Sequence, residues 1–262
     1  MSDANRALVT GAGGRLGQAM AIYLAQRGYQ VAVHYAASED GAHATVAEIE
    51  AAGGRAHAVR ADLLDDAETE ALFQTARDAF GGPITCLVNN ASIFEYDTLQ
   101  TATRDSWDRH MGSNLRAPFL LSQAMAAQGL TPEADASGEP RATGLIVNMI
   151  DQRVLKLTPE FMTYTLAKMG LWALTQTSAR ALAPAIRVNA IGPGPTLQGA
   201  RQSSQHFAAQ RAATVLRRGA NTSDITAALG YFLDAPAVTG QLICVDGGQH
   251  LGWQTPDVLG LE

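Results

Sequence analysis

The chain has 262 residues, is 47% hydrophobic and carries a formal net charge of -6 without an acidic block or a basic stripe. This argues against nucleic acid or an anionic membrane as partner and for a small molecule. Met1 to Gln18 lacks the basic and apolar regions of a signal peptide, and no window approaches the length of a membrane span, so a soluble cytoplasmic protein is expected. The length suits one domain over 1–262. Cys86 and Cys244 each lie in an apolar run that reads as a buried strand, and both are expected to be reduced core residues. The six histidines form no HExxH, and with CxxC and GxSxG also missing from the sequence, neither a metal site nor the commonest hydrolase signature is expected.

Along the chain, short β-branched runs alternate with helical patterns. "RALVT", "QVAVHY", "RAHAVRA", "ITCLVNN", "GLIVNM", "IRVNAIG" and "QLICVDGG" read as strands, with helices near 15–27, 38–52, 66–79, 105–128, 161–183 and 222–235. That order predicts an α/β fold, a parallel sheet with helices on both faces. "GLTPEADASGEPR" at 129–141 is polar and rich in turn formers, and is expected to be an exposed loop. A substrate loop near 195–215 and a tail at 249–262, whose Trp253 is expected to pack on its own chain or a neighbour, complete the chain.

The first strand runs into "TGAGGRLG", with glycines at 11, 13, 14 and 17 before the first helix. Backbone N–H groups and a helix dipole at such a turn suit a pyrophosphate, although Leu16 stands where GxGxxG would have its third glycine. Arg15 is a long cation beside that site and can pair with phosphate, or can be a solvated arginine at a helix start. The second strand ends "VHYAASED" with no early acid to take a ribose hydroxyl. With Arg15, His34 and Ser38 close by, that favours a 2′-phosphate, hence NADPH over NADH. Ala36 and Ala37 make the same site less basic.

Lys156 and Lys168 are the only lysines, and Lys168 follows Tyr164 at helical spacing. An ammonium near a phenol favours phenolate, which would bring a tyrosine into acid–base range. Upstream lies Asp151, which reads either as a strand-end cap or as part of the same proton chemistry.

The glycine loop, "NNAS" at 89–92, "SN" at 113–114, "YTLAK" at 164–168, "IRVNAIGPG" at 186–194, and "VTG" with "VDGG" near the end occur in one order. In these motifs the chain resembles the short-chain dehydrogenase/reductase family over nearly its whole length. The resemblance implies a Rossmann-type doubly wound sheet of order 3-2-1-4-5-6-7, a homotetramer built partly from the helices near 105–128 and 161–183, and catalysis by Tyr164 and Lys168, with Asn114 holding a water. It also implies that an NADPH/NADP cofactor is bound by Gly11, Arg15, Leu16, His34, Tyr35, Ser38, Asp62, Leu63, Asn90, Ala91, Ser92, Met149, Tyr164, Lys168, Pro193, Gly194 and Thr196.

The family usually places a serine where this chain has Asp151. An ionised carboxylate only accepts hydrogen bonds and repels a developing oxyanion, so it suits ketone reduction poorly. It suits a C=N bond in a ring with N–H groups, either orienting them or delivering a proton. The chain is similar here to the pteridine reductase branch, which carries an arginine in the glycine loop (Arg15), "HY" after the second strand (His34, Tyr35), and Phe after "NNAS" (Phe94). The branch also has the spacing of Asp151, Tyr164 and Lys168. The resemblance implies a pterin stacked on Phe94, with Arg15, Ser92, Asp151 and Tyr164 around it; alone, Phe94 reads equally as a hydrophobic plug. The expected activity is reduction of a dihydropterin. A short-chain carbonyl reductase for a ketone and a non-catalytic NADP(H)-binding regulator are the alternatives.

Overall fold

The computed structural model describes residues 5–199 and 202–252. Strands β1 (Arg6–Val9), β2 (Gln30–Tyr35), β3 (Arg55–Arg60), β4 (Cys86–Asn89), β5 (Gly144–Met149), β6 (Ile186–Pro193) and β7 (Leu242–Val245) form one parallel sheet. The spatial order of the seven strands is β3-β2-β1-β4-β5-β6-β7. Helices α1 (Arg15–Gln26), α2 (Glu39–Ala51), α3 (Asp66–Phe80), α4 (Arg104–Met111), α5 (Ala117–Ala127), α6 (Met162–Leu182), α7 (Ser204–Ala212) and α8 (Thr222–Asp234) make the connections.

The strand period of two divides the core between the two faces of the sheet. In β1, Ala7 and Val9 join the side of α1, α2 and α8, while Leu8 joins the side of α3 and α5; Cys86 and Val88 against Leu87 repeat the division in β4. Helix ends follow local chemistry. Asp65 caps α3 by accepting from Ala67 N–H and Glu68 N–H, and Gly81 ends it at φ 65°, a conformation that favours glycine.

Three expectations need correction, and the exposed loop at 129–141 gains detail. The helix expected near 105–128 is interrupted by a π-helical turn at Gly112–Arg116 between α4 and α5. The loop at 129–141 contains a short antiparallel pair, Glu133–Ala134 with Pro140–Arg141, which gives exposed backbone some partners. Helix α7 lies inside the expected substrate loop; none of its residues is buried, so no apolar stripe marks it in the sequence. Cys244 is half-buried on the edge strand β7, whereas Cys86 is buried; both are free thiols. Trp253 and the rest of the tail lie outside the described residues. Among the described residues, no helix is long and apolar enough to cross a membrane, and no cluster of His, Cys, Asp or Glu could hold a metal ion.

Candidate active site

The site gathers at the C-terminal ends of the parallel strands, where open α/β sheets leave a crevice. At the β1–α1 turn Gly11 has φ +62°, and its N–H donates to Nδ1 of His34 at 3.0 Å. Since Nδ1 accepts there, Nε2 carries the proton and donates to the Ala61 carbonyl at 3.1 Å. His34 is buried, and burial pushes its pKa down to about 4. The expected place of His34 beside a phosphate is therefore corrected: both ring nitrogens are engaged by backbone, and the neutral ring props the glycine loop from behind.

The loop is also packed tightly. A Cβ at Gly17 would meet the Gly11 carbonyl oxygen at 2.2 Å, and one at Gly41 would meet the Gly13 carbonyl oxygen at 1.9 Å. The Asn90 amide donates to the Thr10 and Gly11 carbonyls, and the Thr10 hydroxyl accepts from Asn90 N–H and Ala91 N–H. Thr10 is a loop-holding residue missed at the sequence level.

The remaining expected cofactor residues occupy varied positions. Arg15 has φ +53° and an exposed guanidinium that donates to the Leu197 carbonyl at 3.4 Å, tying the glycine loop to the segment after β6. Leu16 packs partly buried against the core. Tyr35 is buried with its hydroxyl toward Glu39, Ser38 is exposed at the start of α2, and Asp62 is exposed beside buried Leu63. Pro193 ends β6; Gly194 donates to the Val245 carbonyl and accepts from the buried Thr196 hydroxyl.

Asp151 follows β5 and serves two partners. One carboxylate oxygen accepts from Arg153 N–H at 2.8 Å, capping the single turn Gln152–Leu155, and the other accepts from the Tyr164 hydroxyl at 3.0 Å. The cap and the proton partner are thus both present, one on each oxygen. Lys168 is buried; its ammonium donates to the Met149 carbonyl at 2.8 Å and lies 5.6 Å from the Tyr164 ring centre.

Electrostatics correct another expectation. Tyr164 was to be lowered by Lys168, but burial, together with the charge and hydrogen bond of Asp151, raises it well above its ordinary value. Burial also raises Asp151, against the opposing Arg153 N–H bond and guanidinium charge, and lowers Lys168 to about 8. The phenol is a protonated donor whose hydrogen points at the carboxylate.

Asn114 lies in the π-turn, fully buried. Its side chain accepts from Ile93 N–H at 2.9 Å and donates to the Ile93 carbonyl at 2.8 Å. This side chain clamps the loop that carries Ser92 and Phe94.

Phe94 is 44% exposed and stacks on Phe161 with ring centres 4.3 Å apart and planes at 9°, while meeting the edge of Tyr164 at 4.7 Å. Tyr96 meets Phe161 edge-on at 5.3 Å, and the Arg153 guanidinium lies 5.0 Å from the Phe161 ring centre. Phe161 and Arg153 were not singled out from the sequence. The aromatic just ahead of Tyr164 was the one available signal.

The position of these groups defines the class: a Rossmann-type oxidoreductase with a dinucleotide cradle at one end of its sheet and an acid–base group beside it. A family model described as enoyl-(acyl carrier protein) reductase matches residues 11–250, and the chain belongs to the short-chain dehydrogenase/reductase family. A 3-oxoacyl-[acyl-carrier-protein] reductase from Staphylococcus epidermidis is 32% identical over 250 residues, covering 94% of this chain and 98% of that one. The crystal structure of FolM alternative dihydrofolate reductase 1 from Brucella suis in complex with NADP is similar at TM-score 0.89 and 42% identity, over 97% of this chain and 98% of that one. A short-chain dehydrogenase from Burkholderia cenocepacia in complex with NADP is similar at TM-score 0.83 and 32% identity, over 94% and 97% of the two chains.

Proposed function

We propose that the protein is an NADPH-dependent reductase of a pterin-type substrate, converting a dihydropterin to a tetrahydropterin at a C=N bond. The observation that carries this reading is the Asp151–Tyr164 hydrogen bond, with both groups raised in pKa and Tyr164 edge-on to the Phe94 wall. The likeness to the Brucella suis enzyme supports it.

The cradle fits a dinucleotide. Gly11, Gly13 and Gly17 sit where side chains would fill the turn, and Arg15 is the cation beside it. Asn90, Ala91, Met149, Pro193, Gly194 and Thr196 line the adjoining strand ends, and the NADP in the Brucella suis and Burkholderia cenocepacia complexes supports the choice of cofactor. When bound, NADPH supplies the hydride.

The chain's own residues manage the proton. Reduction of C=N requires a proton at nitrogen, and a buried acid with a raised pKa holds one to higher pH than an exposed acid. Asp151, holding a proton at its raised pKa, gives it to the substrate nitrogen and takes the Tyr164 proton along the bond the two now share, and Lys168 stabilises the phenolate left behind. Phe94, backed by Phe161, presents an aromatic face to a flat ring. Ser92 stands exposed beside them as a polar contact. Asn114 holds the loop in place, and the water expected on it belongs to the same proposal.

The test is NADPH oxidation by purified protein with a dihydropterin and with a ketone panel, repeated with Asp151→Ser. Pterin turnover falling by about 100-fold in the variant is expected. Pterin silence with ketone turnover unchanged or improved in Asp151→Ser would support the second reading, a carbonyl reductase, which the 32% identity to an acyl-carrier-protein reductase favours. Cofactor binding without turnover of any substrate would point instead to a regulator.

A homotetramer belongs to the same proposal. Leu64, Met111, Leu115, Phe119 and Leu174 line a groove of about 960 Å³ on the face of α4, α5 and α6, which a neighbouring copy would cover.

A further inference from the structure

The helix that carries Tyr164 starts without a cap of its own. Phe161 stands at the N-cap position with φ 57° and has no side-chain oxygen, so the first N–H groups of α6 need acceptors from elsewhere. They find them on one residue, Asp97, which is 2% exposed and lies three positions after Phe94. Its carbonyl accepts from Phe161 N–H at 2.8 Å and from Met162 N–H at 3.3 Å, and its carboxylate accepts from Thr163 N–H at 3.1 Å. The helix dipole favours a carboxylate at this end.

A second layer supports the first. The other Asp97 carboxylate oxygen accepts from the Thr163 hydroxyl and, at 3.1 Å, from the Ser106 hydroxyl. His110 is fully buried, and its Nε2 accepts from Glu95 N–H at 3.1 Å, so Nδ1 carries the proton and donates to the Thr163 hydroxyl at 2.7 Å. The hydrogen bonds therefore run one way, from Glu95 N–H through His110 and Thr163 to Asp97. The His110 ring also meets the Tyr164 ring edge-on at 6.0 Å. A buried chain with every member engaged is stiff, because any break leaves a desolvated polar group.

We infer that Asp97, buttressed by His110 and Thr163, is a positioning residue that joins the Phe94 loop to the start of the catalytic helix, so that the aromatic wall and the Tyr164 phenol hold one separation. The catalytic consequence rests on the pterin reading, since a stacked ring needs wall and acid together; the mechanical joint rests on the fold.

Hydrogen exchange on the full-length protein tests the joint without any substrate. In Asp97→Ala, the amides of Glu95 and of Phe161, Met162 and Thr163 should exchange faster together by about tenfold, with α1 unchanged. In the same variant, kcat/KM for a dihydropterin should fall by about 100-fold while the NADPH Kd stays within about twofold. Asp97→Asn puts an NH2 against the Thr163 and Ser106 hydroxyls, which lose their acceptor, while Glu95 N–H still holds His110 in the Nδ1–H tautomer. Both segments should then exchange faster together, by less than in Asp97→Ala, with the His110 nitrogen NMR shifts keeping the Nδ1–H pattern. If Asp97→Ala does not fold, His110→Phe removes two hydrogen bonds while keeping a ring, and carries the same two readouts.

Faster exchange in one segment alone, or kcat/KM and NADPH affinity falling in parallel, would overturn the inference. A wild-type enzyme silent on pterins whose two segments still exchange together would sink the substrate reading and leave the joint standing. Pterin turnover with uncoupled exchange would sink the joint alone.

Discussion

Tyr164 donates a 3.0 Å hydrogen bond to Asp151, and this bond, with burial, keeps the phenol protonated although Lys168 lies 5.6 Å from its ring centre. The ammonium itself is held down to about 8 by burial. Its two pH effects have opposite signs. Activity that needs the charged ammonium falls as pH rises through about 8. Fold stability rises over the window from about 8 to 10.5, because the unfolded lysine keeps a proton that the folded one has released. Denaturant midpoints of the cofactor-free protein and kcat/KM, both followed across that window, check this. A Lys168→Met variant should lose the upward slope in stability, and parallel decline of both quantities in the wild type would refute the assignment.

Removing Phe161 should act through Phe94. Phe161→Ala takes away the ring stacked 4.3 Å behind Phe94 and the surface under Arg153, leaving the wall unsupported. The expected result is a KM for the pterin raised by about tenfold, the order of one aromatic stacking interaction, with ketone turnover little changed. Equal losses on a flat ring and on a small ketone would show that the wall has no special part.

His34 makes the fold acid-sensitive. Its pKa falls from 6.5 unfolded to about 4 folded, so its stabilising contribution is complete above 6.5 and is lost as pH falls toward 4, to a total of about 3 kcal/mol. His34→Leu strands Gly11 N–H and the Ala61 carbonyl, and should lower stability at neutral pH by about 1–3 kcal/mol while flattening the acid slope. Urea unfolding at neutral and mildly acidic pH measures both. An unaltered acid slope would place the sensitivity elsewhere.

The glycines of the cradle divide into two kinds. Gly41→Ala drives a methyl into the Gly13 carbonyl at 1.9 Å and should reduce stability by about 1–3 kcal/mol, with weaker NADPH binding. Gly14 has nothing within 4 Å of an added Cβ, and Gly14→Ala should leave stability within about 0.5 kcal/mol. Thermal unfolding of both variants decides; equal losses would mean that the close approach of α2 to the glycine loop is not what selects glycine.

The sheet was legible because its information is local. Each strand carries apolar residues on both faces, each long helix an apolar stripe, and the helix expected at 161–183 is found at Met162–Leu182. The spacing of Tyr164 and Lys168, and the glycines before α1, are likewise short-range signals that survive without coordinates. From these the residue order alone decides the fold class, the cradle and the candidate acid–base group.

Pairings across long stretches of chain follow a different rule, because they depend on which strand ends and loops come to lie together. Asp97 reaches Thr163 over 66 residues, Arg15 reaches Leu197 over 182, and His34 meets Gly11 only because β2 lies beside β1. No periodicity records such contacts. The same holds for Asp151: its identity was visible, but whether it capped a turn or met the phenol was decided when packing set one oxygen toward each.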